Sequence, residues 1–131
     1  RQVYTYSDQL EGLEYLLISL PEVDFHVAAP TNVSDYLRSF ERFKNFQLYE
    51  YCQSREVSDR ILEMADFYLD INHWNEVDDI IGRALERGKP IFAFENVVHR
   101  KNEEIHVFSL KDEDKMVATI RHQLKVDRNG E

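Results

Sequence analysis

The sequence predicts a single doubly wound α/β domain, on three observations. Short apolar runs alternate with stretches whose apolar residues recur at helical spacing, turn residues separate the two kinds of segment, and Ile91-Phe92-Ala93-Phe94 is apolar at every position, as a parallel strand covered on both faces must be. A chain of 131 residues has room for one core and not two. Its hydrophobic content of 43% and aromatic content of 12% supply enough apolar surface to offset the entropy of ordering it. The expected architecture is a Rossmann-like, mostly parallel sheet of about five strands over residues 1–126, followed by a frayed tail at 127–131.

Each element follows from local chemistry. Val3 to Tyr6 suits a strand, and Ser7-Asp8 offers a cap for a helix burying Leu10, Leu13, Leu16, Leu17 and Leu20. Pro21 stops that helix, and Phe25 to Ala29 is the second strand, ended by Pro30-Thr31-Asn32. Ser34-Asp35 caps a short helix with Tyr36, Leu37, Phe40 and Phe43, before a third strand at Phe46, Leu48 and Tyr49. Val57, Ile61, Leu62 and Met64 mark the next helix and Phe67-Tyr68-Leu69 the fourth strand. A helix from about Asn75 to Arg87 should bury Val77, Ile80, Ile81, Ala84 and Leu85 and end at a left-handed Gly88 before Pro90. After the fifth strand, Asn102 to Asp114 is polar with a short insert of Ile105, Val107 and Phe108, and Met116 to Leu124 forms a closing amphipathic helix.

Charge and motifs narrow the function. With 25 acidic and 16 basic residues the formal charge is -9, which argues against a nucleic-acid partner. No apolar run is long enough for a transmembrane segment, and a peripheral membrane contact would have to come through a part of the protein outside this chain. The lone Cys52 cannot form an internal disulfide and points to the cytoplasm, while its lack of an evident basic neighbour weakens any nucleophile reading. Arg1 opens the sequence at once on a strand, so an upstream half is expected.

In such sheets ligands bind beyond the carboxyl ends of the strands. The loops that matter are therefore Ser7-Asp8, Ala29 to Asn32, Asn72 to Glu76 and Glu95 to His99, and the candidate ligand-binding residues, for a glycan or a nucleotide-sugar, are Ser7, Asp8, Thr31, Asn72, His73, Asn75, Glu76, Asn96 and His99. No glycine-rich phosphate loop follows any strand, so a phosphate would have to rest on a helix N-terminus. Asn72 and Asn75 are equally suited to capping, and Glu76 in a first helical turn is favoured by the helix dipole alone. His26, inside an apolar strand, reads as a hydrogen-bonded core histidine. The histidines and the cysteine lack metal-ligand spacing, so no metal and no resident cofactor is expected.

Four segments in order, Tyr4-Thr5-Tyr6-Ser7-Asp8-Gln9, Phe25 to Thr31, Tyr68-Leu69-Asp70-Ile71-Asn72-His73 and Ile91 to Asn96, resemble the C-terminal half of a bacterial glycosyltransferase-like family. That family is the pair of cytosolic subunits of the accessory Sec system that place N-acetylglucosamine on Ser and Thr of serine-rich repeat adhesins, each with the two-domain GT-B fold. The Asp-Ile-Asn-His run followed by Glu76-Val77 is more similar to the stabilising partner, a glycosylation chaperone, than to the catalytic subunit. The resemblance implies a catalytic glycosyltransferase subunit and a Ser/Thr-rich adhesin acceptor as partners. Retaining enzymes of this type flank the donor sugar with two glutamates eight positions apart. Anchoring on Gly88-Lys89-Pro90 puts those positions at Asn75 and Arg83, and a slip of one residue puts them at Glu76 and Ala84, so at most one acid survives. No catalytic residue is therefore assigned, and the implied function is a non-catalytic, acceptor-binding and stabilising subunit. Two alternatives stay open: an active retaining transferase using UDP-N-acetylglucosamine, and a Rossmann-like interaction domain.

Overall fold

A computed structural model describes residues 2–6, 10–73, 76 and 78–129, with side chains from residue 10 to residue 125. Six strands form one sheet: β1 (Gln2–Tyr6), β2 (Asp24–Ala28), β3 (Phe46–Tyr49), β4 (Phe67–Asp70), β5 (Ile91–Phe94) and β6 (Ile105–Phe108), in the order β3-β2-β1-β4-β5-β6. Every pairing is parallel, for example Phe25 with Phe46 and Phe92 with His106. The sheet has one strand more than expected. Ile105 to Phe108, an insert in a polar stretch, pairs along the whole of β5, and its outer residues His106 and Val107 are exposed because it is an edge strand.

The helices are α1 (Leu13–Ser19), α2 (Asp35–Arg38), α3 (Arg55–Met64), α4 (Ile80–Glu86) and α5 (Glu113–Asn129), with a 3-10 turn at Ser39–Arg42 extending α2. Strand parity sorts the core into two layers. Phe25, Val27, Phe67, Leu69, Phe92 and Phe94 join the buried residues of α1, α2 and α5, whereas Ala28, Tyr68, Ile91 and Ala93 join those of α3 and α4. Phe67 and Phe92 meet edge to face at 5.4 Å between centroids. Burying each such side chain stabilises the fold by about 1.5–3 kcal/mol. Asn45, at the foot of β3, is buried and its amide donates to the carbonyls of Leu17, Leu20 and Val23 at 3.1–3.2 Å, tying the end of α1 to the start of β3.

Two helices start later than the sequence predicts. Leu10 lies in an isolated antiparallel bridge to Asn72 instead of in α1, which begins after Gly12 at φ 67. The helix predicted from Asn75 begins at Ile80, behind Asp78 and Asp79 at φ 50 and 52. Its other end is as expected: Gly88 has φ 66, and Gly88 N and Lys89 N donate to the carbonyls of Leu85 and Ala84 at 3.0 Å. The closing helix runs on to Asn129, past the expected end at Leu124 and through most of the predicted tail. Val57 and Met64, grouped with the buried residues of α3, are exposed at its ends. Among the described residues no helix is long and apolar enough to cross a membrane.

Candidate functional site

Strand order reverses between β1 and β4, so the site is sought beyond the carboxyl ends of β1, β4 and β5. Five of the nine predicted residues, Asn72, His73, Glu76, Asn96 and His99, come together there. Thr31 stands apart in the loop after β2, exposed, its hydroxyl donating to the Asn32 carbonyl at 3.3 Å. Ser7, Asp8 and Asn75 lie outside the described residues.

The cluster is organised by acids. Asp70, the last residue of β4, is 1% exposed, and its carboxylate accepts from the His99 backbone N–H at 2.8 Å and from His99 Nδ1 at 2.5 Å. Burial pushes the Asp70 carboxyl above its ordinary range, and the His99 hydrogen bonds pull against that shift without cancelling it. With Asp70 ionised, Nδ1 carries the proton, so one tautomer of His99 is fixed. Glu11 holds the opposite side: one carboxylate oxygen accepts from His73 Nε2 at 3.2 Å and the other from Asn96 Nδ2 at 3.1 Å. Glu11 N also donates to the Ile71 carbonyl at 2.8 Å, which continues the bridge between Leu10 and the buried Asn72. Asn72 thus anchors a backbone pairing, and the N-cap position of α4 falls to Asp79.

Glu76 does the capping instead. It accepts from Ile81 N at 3.2 Å and, one oxygen each, from Arg100 Nε at 2.8 Å and Nη2 at 2.7 Å. Arg100 also donates to Asp79 at 2.5 Å, closing a clasp between the loop after β4 and the loop after β5. Behind it Arg83, in α4, is 5% exposed and pairs closely with Asp59 while donating to the Asp78 carbonyl at 3.1 Å and to Ser58 Oγ at 3.3 Å. Arg55 completes the network with Asp78 at 2.6 Å, and that hydrogen bond holds the Asp78 carboxyl below its usual range. The position expected of a second catalytic glutamate is therefore filled by a buried structural cation, and its neighbour Ala84 is wholly enclosed by the core.

Glu11, Arg100 and Asp79 escaped sequence reasoning. Glu11 was hidden because Leu10 fits the helical spacing of Leu13 to Leu20; Gly12 was the available signal, since its positive φ permits the turn that separates Glu11 from α1. His26 behaves as read: it is buried, its Nδ1 lies 2.9 Å from Tyr49 Oη, and burial lowers the pKa of its imidazole. No cluster of metal-ligating side chains occurs among the described residues.

The description of the GftB/GlyA-F C-terminal domain fits residues 2–130. The chain belongs to this family. It is 40% identical over 119 residues to glycosyltransferase GlyB of Streptococcus pneumoniae serotype 4, covering 91% of this chain and 29% of that one. It is 46% identical over 99 residues to the UDP-N-acetylglucosamine–peptide N-acetylglucosaminyltransferase stabilizing protein GtfB of Streptococcus agalactiae, covering 76% and 22%. Among solved structures, glycosyltransferase GlyE of Streptococcus pneumoniae TIGR4 superposes with a TM-score of 0.85 at 32% identity, over 93% of this chain and 32% of its own. A GtfA/B complex bound to UDP and GlcNAc superposes with a TM-score of 0.80 at 32% identity, over 94% and 28%. The chain thus spans less than a third of each of these relatives, as the C-terminal domain of this family, and the Rossmann-like domain inferred from the sequence is the fold they share.

Proposed function

We propose that this domain belongs to a non-catalytic subunit that binds a Ser/Thr-rich acceptor and stabilises a catalytic glycosyltransferase placing N-acetylglucosamine on it. The complex works in the cytoplasm on an adhesin exported by the accessory Sec system. The carrying observation is Arg83: a guanidinium has no acceptor and no base capacity, and here it is buried and committed to Asp59, Asp78 and Ser58. The similarity to GtfB stabilizing proteins supports the reading. Mixing the whole protein with UDP-N-acetylglucosamine and acceptor peptide should give no transfer, and adding the catalytic subunit should restore it. Transfer by the protein alone would sink the proposal.

The similarity to GlyB, GlyF and GlyE favours a second reading, an active retaining transferase with Glu76 beside the donor and His99 or Asn96 near its diphosphate. UDP-N-acetylglucosamine is a ligand of this domain only on that reading. It requires Glu76→Gln to abolish turnover by the protein alone.

A further inference from the structure

A separate cleft opens beyond β3, at the far edge of the carboxyl side. It is an open depression of about 410 Å3, a volume within the range of small-ligand sites, and its walls include Leu48, Glu50, Tyr51, Gln53, Ser54 and Val57. β3 lies three strands from β4, roughly 14 Å at the usual strand spacing, so the cleft is not part of the cluster at the switch point.

Tyr51 is its unusual feature. The residue has φ 53, a conformation that L side chains adopt at a cost, and it is 64% exposed, so burial of the ring does not offset that cost. The loop is nonetheless fixed. Tyr51 N donates to the Thr31 carbonyl at 3.2 Å, Cys52 N to Ala29 at 2.8 Å, and the Gln53 side-chain amide to Pro30 at 2.9 Å. Tyr51 shares the lining of the cleft with an apolar residue, Val57, left 40% exposed, and a carboxylate, Glu50, held by Arg38 at 2.5 Å. The Ser54 hydroxyl accepts from Val57 N at 3.3 Å and keeps its own proton to donate.

A rigid exposed aromatic, an apolar wall, a positioned carboxylate and a hydroxyl match the two surfaces of a pyranose, its C–H face and its rim of hydroxyls. The residues lining the cleft include an acid and no lysine or arginine, which disfavours phosphate and any nucleotide. We infer that this cleft binds a neutral saccharide, stacked on Tyr51 and hydrogen-bonded to Glu50 and Gln53. The site stands whether or not the domain serves a transferase.

The test is Tyr51→Gly in the whole protein that contains this domain, because glycine suits the backbone and removes only the ring. Ligand-observed NMR with N-acetylglucosamine, glucose and UDP as separate probes reads binding, and thermal melting reads stability. Saccharide should bind the parent protein at millimolar concentration and about tenfold more weakly after Tyr51→Gly, with the melting temperature unchanged or raised. Gln53→Ala gives a second, milder weakening if the first variant folds poorly. Absence of saccharide binding to the parent protein, or binding insensitive to both substitutions, would each overturn the inference. Copurification with the transferase subunit should survive Tyr51→Gly, so failure here is distinguishable from failure of the partner role.

Discussion

The cluster beyond β4 and β5 and the cleft beyond β3 both lie on the carboxyl side of the same sheet and both pair their polar groups, yet only the cleft leaves apolar surface open beside them. In the cluster, Asp70 is bound by His99, Glu11 by His73 and Asn96, Glu76 by Arg100, and Arg83 by Asp59. A ligand arriving there must displace hydrogen bonds already made, those of the buried Asp70 and Arg83 among them, so its own hydrogen bonds yield little net gain. In the cleft, Tyr51 and Val57 face water, and a ligand would cover apolar surface that the fold leaves open. Position in the sheet therefore says where a site could be, and the apolar surface left open there says whether a ligand has anything further to gain.

The largest expected effect comes from trying to turn the first region into the kind of site it resembles. Arg83→Glu puts a carboxylate at the expected catalytic position, but leaves it buried beside Asp59 and Asp78 with no cation in place. We expect a loss of about 3–5 kcal/mol in a urea melt and no gain of transferase activity. A stable, active variant would show that the ion network is not what closes this region. Gly12→Ala attacks the turn that presents Glu11. The new Cβ would sit 2.9 Å from Phe94 Cε2, a ring fixed in the core, at a φ of 67. A destabilisation of about 2 kcal/mol is expected, with the His73 imidazole signals shifting in NMR as Glu11 is displaced.

The smallest effect is a pH dependence. Asp70 has a raised folded pKa, so the native state holds its proton more tightly than the unfolded chain does. The stability it contributes is full below the ordinary value of 3.8 and is lost as pH rises through the folded pKa. Asp78, whose pKa Arg55 lowers, has the opposite slope and is more exposed, so salt should weaken it. Subtracting Asp70→Asn from the parent across acid pH should isolate a falling limb. A flat difference would mean that the hydrogen bonds from His99 balance the cost of burying the carboxylate.

Much of the fold was legible because its cause is local. Alternating apolar runs and turn residues located five of the strands, and Gly88-Lys89-Pro90 marked the end of α4. β6 was missed because its apolar residues Ile105, Val107 and Phe108 form a short run broken by His106, and as an edge strand paired only with β5 it leaves His106 and Val107 exposed. The start of α4 was missed because consecutive left-handed residues at Asp78 and Asp79 are held by Arg55, Arg83 and Arg100, which lie up to 23 positions away in sequence. The candidate site divides in the same way. Strand ends supplied Asn72, His73, Glu76, Asn96 and His99, but the partners that saturate them, Glu11 and Arg100, are set by tertiary geometry that no single segment encodes.

The three hydrogen bonds from Asn45 bear on the order of assembly. The carbonyls they satisfy belong to residues 22 to 28 positions earlier, so the end of α1 lacks its capping partner until the chain has gone through β2 and α2 and come back to begin β3. Contacts of that separation form slowly, after the intervening loop has closed. The last turn of α1 is thus a local reporter of whether the far edge of the sheet has docked, the same edge that carries Tyr51.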